Sequence, residues 1–153
     1  MHLSRSTNLG LQIIAELSRQ QVQAGETTRL TAAGISEALG ASPTHVAKLT
    51  SRLVEIGIIK SSRGRAGGIH IIKGGLRFRL GELIRKLEGP VEQVDRYIQP
   101  LVAESNGSNS EAQRSFELVL QEAEDRFYAE LDKFTVADVL DLDISGQHFL
   151  MKD

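Results

Sequence analysis

The chain has 153 residues, 41% hydrophobic and 25% charged, which is typical of one globular domain or of a compact head with an added helix. It contains no cysteine, which excludes disulfides, thiolate metal ligands and cysteine nucleophiles. No apolar run approaches a membrane span, and polar residues interrupt the N-terminal apolar positions within every turn. We therefore expect a cytoplasmic protein with no signal peptide and no membrane partner.

The net charge of −2 conceals two oppositely charged parts. Residues 1–90 carry 13 Lys and Arg against 6 Asp and Glu, a net charge of +7, whereas residues 91–153 carry 5 against 14, a net charge of −9. This segregation favours a head that faces nucleic acid, followed by an acidic remainder. Solvent-exposed helix faces alone could also produce this separation of charge, so the choice between the two explanations depends on the sequence motifs.

An amphipathic pattern over about residues 5–21 predicts a first helix, with Ser4 or Ser6 as its N-cap. The first turn also carries Arg5. Amides and hydroxyls at a helix N-terminus can bind a phosphate, so Ser4 and Arg5 are candidate DNA contacts. Plain capping of the helix by these serines is the alternative, and the residues alone favour it.

Residues 31–56 predict a helix-turn-helix. Thr31 begins a short helix that Gly40 ends, because glycine adopts a positive φ without a Cβ clash. A second helix begins at Pro43, whose missing N–H is not needed there, and Ser42 is placed to accept a hydrogen bond from a first-turn amide. The apolar residues of this second helix share one face: Val46, Leu49, Leu53 and Ile56.

The opposite face of the second helix offers hydrogen-bond donors and positive charge. In helix-turn-helix proteins this helix enters the major groove, and its first turn reaches base edges. Lys48 and Arg52, one and two turns further on, are candidate phosphate contacts. A polar helix face turned to solvent is the alternative. The candidate DNA-binding residues of the first turn are Ser42, Pro43, Thr44 and His45.

Two extended runs around a Gly-rich loop predict a β-hairpin. Residues 58–63 form the first run and residues 69–72 the second. Arg63 and Arg65 at the tip suit backbone phosphates or a narrow minor groove. The loop lacks the Gly-Lys-Ser/Thr ending of a nucleotide-binding loop, so a wing that lies along DNA explains it better.

This order of motifs resembles the Rrf2 family of bacterial winged-helix repressors, which includes iron–sulfur and nitric-oxide sensing regulators. The resemblance covers about residues 1–140 and implies a long helix that crosses to a second subunit. Cluster-binding members hold their cofactor with cysteines between the wing and that helix, so this chain is expected to carry no cluster. The matching motifs are Met1-x-Leu3-Ser4, Gly57, Arg63-Gly64-x-x-Gly67-Gly68, Leu87-Glu88-Gly89 and residues 131–140.

The longest helix is predicted over about residues 111–133, begun by a capping box at Ser110-x-x-Gln113. Its apolar stripe is too continuous for a helix without a partner. A homodimer also fits DNA recognition, because two recognition helices one turn apart match a pseudo-palindrome. Packing within its own chain is the alternative. The proposed dimerisation residues are Phe116, Leu120, Ala123, Phe127, Leu131 and Phe134. Thr135-x-x-Asp138 should cap a last short helix.

No catalytic or metal site is predicted. The carboxylates of the long helix lie mostly on its outer face, as solvated charge does. No two of the four histidines share a helical face; they are His2, His45, His70 and His148.

The predicted fold is mainly α with a small β-hairpin. Its parts are a winged helix-turn-helix domain (1–90), a linker segment and loop (91–110), a dimerisation helix with a short terminal helix (111–140) and a tail (141–153).

These features predict a homodimeric regulator that binds specific sequences of double-stranded DNA, is a repressor rather than an enzyme, and uses no cofactor. Its signal is then expected from a small-molecule effector between head and dimer helix, or from a partner protein on the acidic half. The alternative function is a winged-helix module that senses a partner protein without binding DNA. Metal sensing without cysteine is a third hypothesis.

Overall fold

The computed structural model describes residues 3–24, 29–64, 67–89 and 108–145. The predicted class, mainly helical with one small hairpin, is confirmed. None of the described helices is both long and apolar enough to cross a bilayer. In chain order the elements are α1 (Arg5–Ala24), α2 (Ala32–Leu39), α3 (Pro43–Ile56), β1 (Ile59–Ser62), β2 (Gly68–Ile71), a 3-10 turn (Gly75–Arg77), α4 (Leu80–Glu88), α5 (Ser108–Leu131) and α6 (Val136–Ser145).

We call residues 3–89 the head. Its core forms around α1, which contacts α2, α3, α4 and β2. Ile13, Ile14 and Leu17 of α1 are buried and belong to one core cluster with side chains from the other helices and both strands of the head. Each such side chain contributes about 1.5–3 kcal/mol through the removal of apolar surface from water. The most deeply buried are Ile13, Ile14, Leu17, Ile35, Val46, Leu53, Ile58 and Leu83.

The helix-turn-helix begins and ends as predicted, with one exception. The hydroxyl of Thr31 accepts a hydrogen bond from the Gly34 amide at 3.0 Å, and Gly40 has a left-handed φ of 59°. The predicted cap by Ser42 is wrong, because its side chain makes no capping hydrogen bond. The fixed φ of Pro43 already orders the first turn of α3, so the helix begins without that bond.

The wing is a two-stranded antiparallel sheet in which Ile59 pairs with Ile71 and Ser62 pairs with Gly68. Leu30 adds a contact that the sequence analysis missed. Its amide donates to the Ile69 carbonyl at 3.1 Å, and the Ile69 amide donates back at 2.8 Å. The residue before the N-cap of α2 is therefore bonded to the second strand of the wing.

The start of α5 differs from the prediction. The helix begins at Ser108, so Ser110 lies inside it and is not the N-cap that the sequence predicted. Serine costs only a fraction of a kcal/mol inside a helix, and residues 108–110 contain no glycine or proline to stop an earlier start. Residues 91–107 and 146–153, which cover most of the predicted linker and tail, lie outside the described residues.

The capping box at the start of α6 is confirmed. The hydroxyl of Thr135 accepts a hydrogen bond from the Asp138 amide at 3.2 Å, and the Asp138 carboxylate accepts from the Thr135 amide at 2.7 Å. The helix that follows runs to Ser145, beyond the predicted boundary at residue 140. The reciprocal bonds fix the start of α6.

The C-terminal end of α5 is joined to the start of α4. The carboxylate of Asp132 accepts a hydrogen bond from the Glu82 amide at 2.8 Å, so a residue 50 positions away caps α4. The Leu80 amide donates to the Phe134 carbonyl at 2.9 Å. A carboxylate at a helix N-terminus also interacts favourably with the helix dipole, so this contact orients α5 on the head.

One turn further along α4, Arg85 extends the same junction. Its guanidinium lies 4.1 Å from the centre of the Tyr128 ring and 3.4 Å from the Asp125 carboxylate. Tyr128 is buried, whereas the ion pair is largely exposed and contributes little. The junction of α4 and α5 is therefore held mainly by the buried ring and by the Asp132 cap.

Candidate nucleic-acid interface

A groove of about 1000 Å³ lies between the first turn of α1, the outward face of α3 and the end of α4. We call it the α3 groove. It brings together residues from three elements that are far apart in the sequence. Five of the predicted DNA-binding residues line it: Ser4, Arg5, His45, Lys48 and Arg52.

The first turn of α3 projects from the head. Ser42, Pro43, Thr44 and His45 are all exposed. The opposite face of α3 is buried, which fixes the helix from behind. The predicted orientation of α3 is therefore confirmed, and the side chains that were expected to reach base edges are accessible.

The first turn of α1 is held by Ser4, which the structure selects over Ser6 as the cap. The Ser4 hydroxyl accepts from the Thr7 amide and donates to the Thr7 hydroxyl, each at 3.1 Å. The Ser4 amide donates to the Glu88 carboxylate at 2.8 Å. Because its donors are already used, Ser4 can donate to a phosphate only by breaking one of these bonds. The neighbouring Arg5 is exposed.

Glu88 is the groove residue whose role the sequence analysis missed. It is the last residue of α4 and reaches a helix start 84 residues earlier in the chain. Helical spacing relates residues within one element and says nothing of a partner at that distance. The only signal was its place in the Leu87-Glu88-Gly89 motif.

Arg52, a predicted phosphate contact, binds another part of the head. Its Nε and Nη2 atoms donate to the Lys86 carbonyl at 3.2 and 3.0 Å. Its Nη1 atom lies 3.5 Å from the Glu55 carboxylate. Lys48, one turn earlier on α3, is exposed and makes no ion pair with the residues that the structure describes.

The wing tip carries Arg63, which is exposed just after β1. Gly64 follows with a φ of 103°, and its carbonyl accepts a hydrogen bond from the Gly67 amide at 2.8 Å. A side chain at residue 64 would be strained in this conformation, so glycine permits the turn. Arg65 lies outside the described residues.

The predicted dimerisation stripe divides into two parts. Phe127, Leu131 and Phe134 are partly buried, whereas Phe116, Leu120 and Ala123 are exposed. The reason is length, since α4 has 9 residues and spans about 13 Å while α5 has 24 and spans about 36 Å. The first half of α5 therefore extends past α4.

Two further apolar residues of α5 are exposed and were not predicted to matter. Leu118 is 67% exposed and Val119 is 65% exposed, compared with 62% for Phe116. Val119 lies beside the predicted stripe. Leu118 continues the face that packs on α4 further along the helix. The exposed apolar surface of α5 is thus wider than the stripe predicted from spacing.

Comparison with known proteins decides the family. The sequence profile of the Rrf2 family, described as an iron-dependent transcriptional regulator, matches residues 3–142. The chain belongs to the Rrf2 family. The HTH-type transcriptional repressor NsrR of Streptomyces coelicolor is 33% identical over 143 residues, which are 92% of this chain and 88% of NsrR.

Solved structures share the fold of this Rrf2 protein. IscR of T. potens has a TM-score of 0.63 and 21% identity, with 100% of this chain and 93% of that chain covered. CymR of B. subtilis, the global cysteine regulator, has a TM-score of 0.60 and 23% identity, with 92% and 97% covered. Rrf2 proteins bind double-stranded DNA and act as oligomers. This chain is accordingly a DNA-binding transcriptional regulator and not an enzyme.

The family description mentions iron, but this Rrf2 chain cannot hold iron in a cysteine-bound cluster. All 153 positions lack cysteine, so no thiolate ligand exists. Among the residues that the structure describes, no three His, Asp or Glu side chains approach closely enough to hold a metal ion. His45 and His70, the described histidines, lie on α3 and β2. The chain thus lacks the thiolate ligands that hold an iron–sulfur cluster.

Proposed function

We propose that this protein is a homodimeric, cytoplasmic repressor that binds a pseudo-palindromic operator through α3 and the wing. The observation that supports the proposal best is the α3 groove, where Arg5, His45 and Lys48 meet beside the exposed first turn of α3. A helix held from behind, with donors in front and cations beside it, has the arrangement that major-groove recognition requires.

For the residues that the structure describes, the proposed roles follow from exposure, and Arg65 keeps the role that its place in the sequence predicts. The first turn of α3 (Ser42, Pro43, Thr44 and His45) faces base edges, where His45 can donate or accept and the Thr44 methyl can contact thymine. Arg5 and Lys48 on the walls of the groove contact phosphates. Ser4 acts by fixing the turn that carries Arg5. Arg63 and Arg65 contact the backbone or enter the minor groove.

We further propose that the controlling signal is a small-molecule effector or a partner protein. The support is chemical, because a cluster held by thiolates has no ligands here. The acidic half of the chain is the surface that suits a basic partner.

Selection of genomic fragments by the purified protein tests the proposed function. Wild-type protein should enrich a motif with two inverted half-sites about one DNA turn apart, as two-fold symmetry requires. His45→Ala should enrich a motif with relaxed preference within each half-site and the same spacing. A wild-type protein that enriches no motif, while it binds another protein through the α3 groove, would support the interaction module instead.

Repeating the selection with protein treated with a chelator tests whether the controlling signal is independent of metal. Protein treated with EDTA should enrich the same motif, because this binding needs no metal. Loss of the motif on chelation, with recovery on addition of iron, would contradict a signal independent of metal.

Removing the charge of Arg63 should weaken binding to all sequences alike. Arg63→Gln is expected to lower affinity about tenfold and to reduce the slope of log K against log salt by about 0.9 for each lost phosphate contact. Binding is measured by fluorescence anisotropy between 50 and 200 mM salt, on the selected operator and on a scrambled duplex.

Lys73→Gln is the matched control for Arg63→Gln, because it removes one exposed charge from the other end of the hairpin. Its affinity and salt slope should stay at wild-type values. Equal effects of the two substitutions would mean that net charge, rather than a contact at the wing tip, sets the affinity.

A further inference from the structure

The last carbonyls of α4 have no helical donor, and the carbonyl of Lys86 is one of them. In a helix that continued, the Lys86 carbonyl would accept from the amide of residue 90, four positions on. Residue 90 is proline and has no N–H. The sequence itself therefore creates an unmet acceptor at the C-terminal end of α4, where the helix dipole already concentrates negative charge.

Arg52 supplies the missing donor from another helix. Two of its N–H groups converge on the Lys86 carbonyl, from Nε at 3.2 Å and from Nη2 at 3.0 Å. A cation at a helix C-terminus is favourable, and a hydrogen bond with a charged donor is stronger than a neutral one. The neighbouring carboxylates do not take the two N–H groups that bind the Lys86 carbonyl. Glu55 lies 3.5 Å from the third nitrogen, Nη1, and Glu88 accepts a hydrogen bond from the Ser4 amide.

The position of Arg52 on α3 gives this bond a consequence for DNA binding. Leu49 and Leu53 on the same helix are buried in the core, whereas Arg52 reaches sideways to α4. The core holds the buried face of α3, and the bond to the Lys86 carbonyl adds a contact at the side of the helix that opposes rotation about its own axis. That rotation sets the direction of the His45 side chain.

We infer that Arg52 is a positioning residue that sets the angle of the recognition helix, rather than a phosphate contact. This inference deepens the proposed function, on which it rests. Lys48 remains the phosphate contact of this face. The two roles differ chemically, because a lysine can replace an arginine as a point charge at a phosphate but cannot present two converging donors to one carbonyl.

Three variants separate the roles: Arg52→Lys, Arg52→Gln and the control Lys48→Gln. The probes are the operator fragment selected by wild-type protein and a scrambled duplex of equal length. If Arg52 positions α3, both of its variants should lower the ratio of operator to scrambled affinity about tenfold and keep the wild-type salt slope. Lys48→Gln should weaken both duplexes alike and lower the slope by about 0.9 for each lost contact.

The opposite result overturns the inference. If Arg52→Lys keeps wild-type discrimination while Arg52→Gln weakens both duplexes with a smaller slope, Arg52 contacts a phosphate. Thermal unfolding of each variant shows whether the protein is folded at the assay temperature. A lower ratio of operator to scrambled affinity can then be separated from unfolding of the variant.

A measurement without DNA keeps the inference separate from the proposed function. Amide hydrogen exchange of the free protein should increase several-fold at the ends of α3 and α4 in Arg52→Gln, including the Gly89 amide that donates to the Arg85 carbonyl. Wild-type exchange there would refute a positioning role. Failure of the wild-type protein to bind either duplex would refute only the proposed function, and exchange would still decide the role of Arg52.

Discussion

Leu120→Glu is expected to convert the protein to a monomer and to lower its affinity for the selected operator at least 100-fold. Leu120 is 39% exposed in one chain and lies on the half of α5 that extends past the head. In a two-fold interface each substitution occurs twice, and each buried leucine contributes about 1.5–3 kcal/mol. Loss of the dimer leaves each head to bind one half-site alone, and a 100-fold loss corresponds to about 2.8 kcal/mol.

Sedimentation velocity gives the oligomeric state, and anisotropy with the operator duplex gives the affinity. Gln121→Glu is the control, because it adds the same charge one residue later, at an exposed position off the stripe. It should remain dimeric. A Leu120→Glu protein that sediments as a dimer would show that the exposed half of α5 is not the interface.

Gly81→Ala is expected to destabilise the protein by about 1–3 kcal/mol, the usual cost of forcing an atom into a packed contact. Gly81 lies where α4 meets the end of α5. A Cβ there would collide with the Tyr128 carbonyl and would come within 2.6 Å of the Asp132 carboxylate that caps α4. Because one of the two obstacles is backbone, a side-chain rotation cannot relieve the collision.

Gly34→Ala is the control, since it makes the same change inside α2, where the nearest atom to a new Cβ is the Thr31 hydroxyl at 3.4 Å. There alanine should stabilise by about 0.5–1 kcal/mol, because it has less backbone freedom to lose on folding. Urea unfolding at one fixed protein concentration compares the two, since dimerisation makes stability depend on concentration. A destabilising Gly34→Ala, or a neutral Gly81→Ala, would contradict the packing described for these sites.

Local chemistry explains which parts of the fold the sequence predicted. Thr31, Gly40 and Pro43 act on their own neighbours, so the ends of α2 and α3 could be located from residue type. Ser42 and Ser110 show the limit of the same reasoning. A serine just before a helix, like Ser42, or three residues before a glutamine, like Ser110, is compatible with an N-cap. At Ser42 the following proline makes the capping bond unnecessary, and at Ser110 the helix begins earlier.

Contacts between distant residues could not be predicted from the sequence. The bonds of Ser4 with Glu88 and of Glu82 with Asp132 join residues 84 and 50 positions apart. Periodicity identifies which face of a helix is apolar, but it does not identify the element that covers that face. For the same reason the stripe on α5 was predicted correctly as apolar, whereas its division into a packed half and an exposed half depends on the length of α4.

The bonds between Leu30 and Ile69 constrain the operators that this protein can use. They connect the second strand of the wing to the residue that precedes the N-cap of α2, so a displacement of the wing also displaces the helix-turn-helix. The offset between the bases read by α3 and the phosphates reached by the wing is then the same in every half-site. Natural operators should therefore share one layout of base and phosphate contacts within each half-site, at the one spacing between half-sites that the dimer sets.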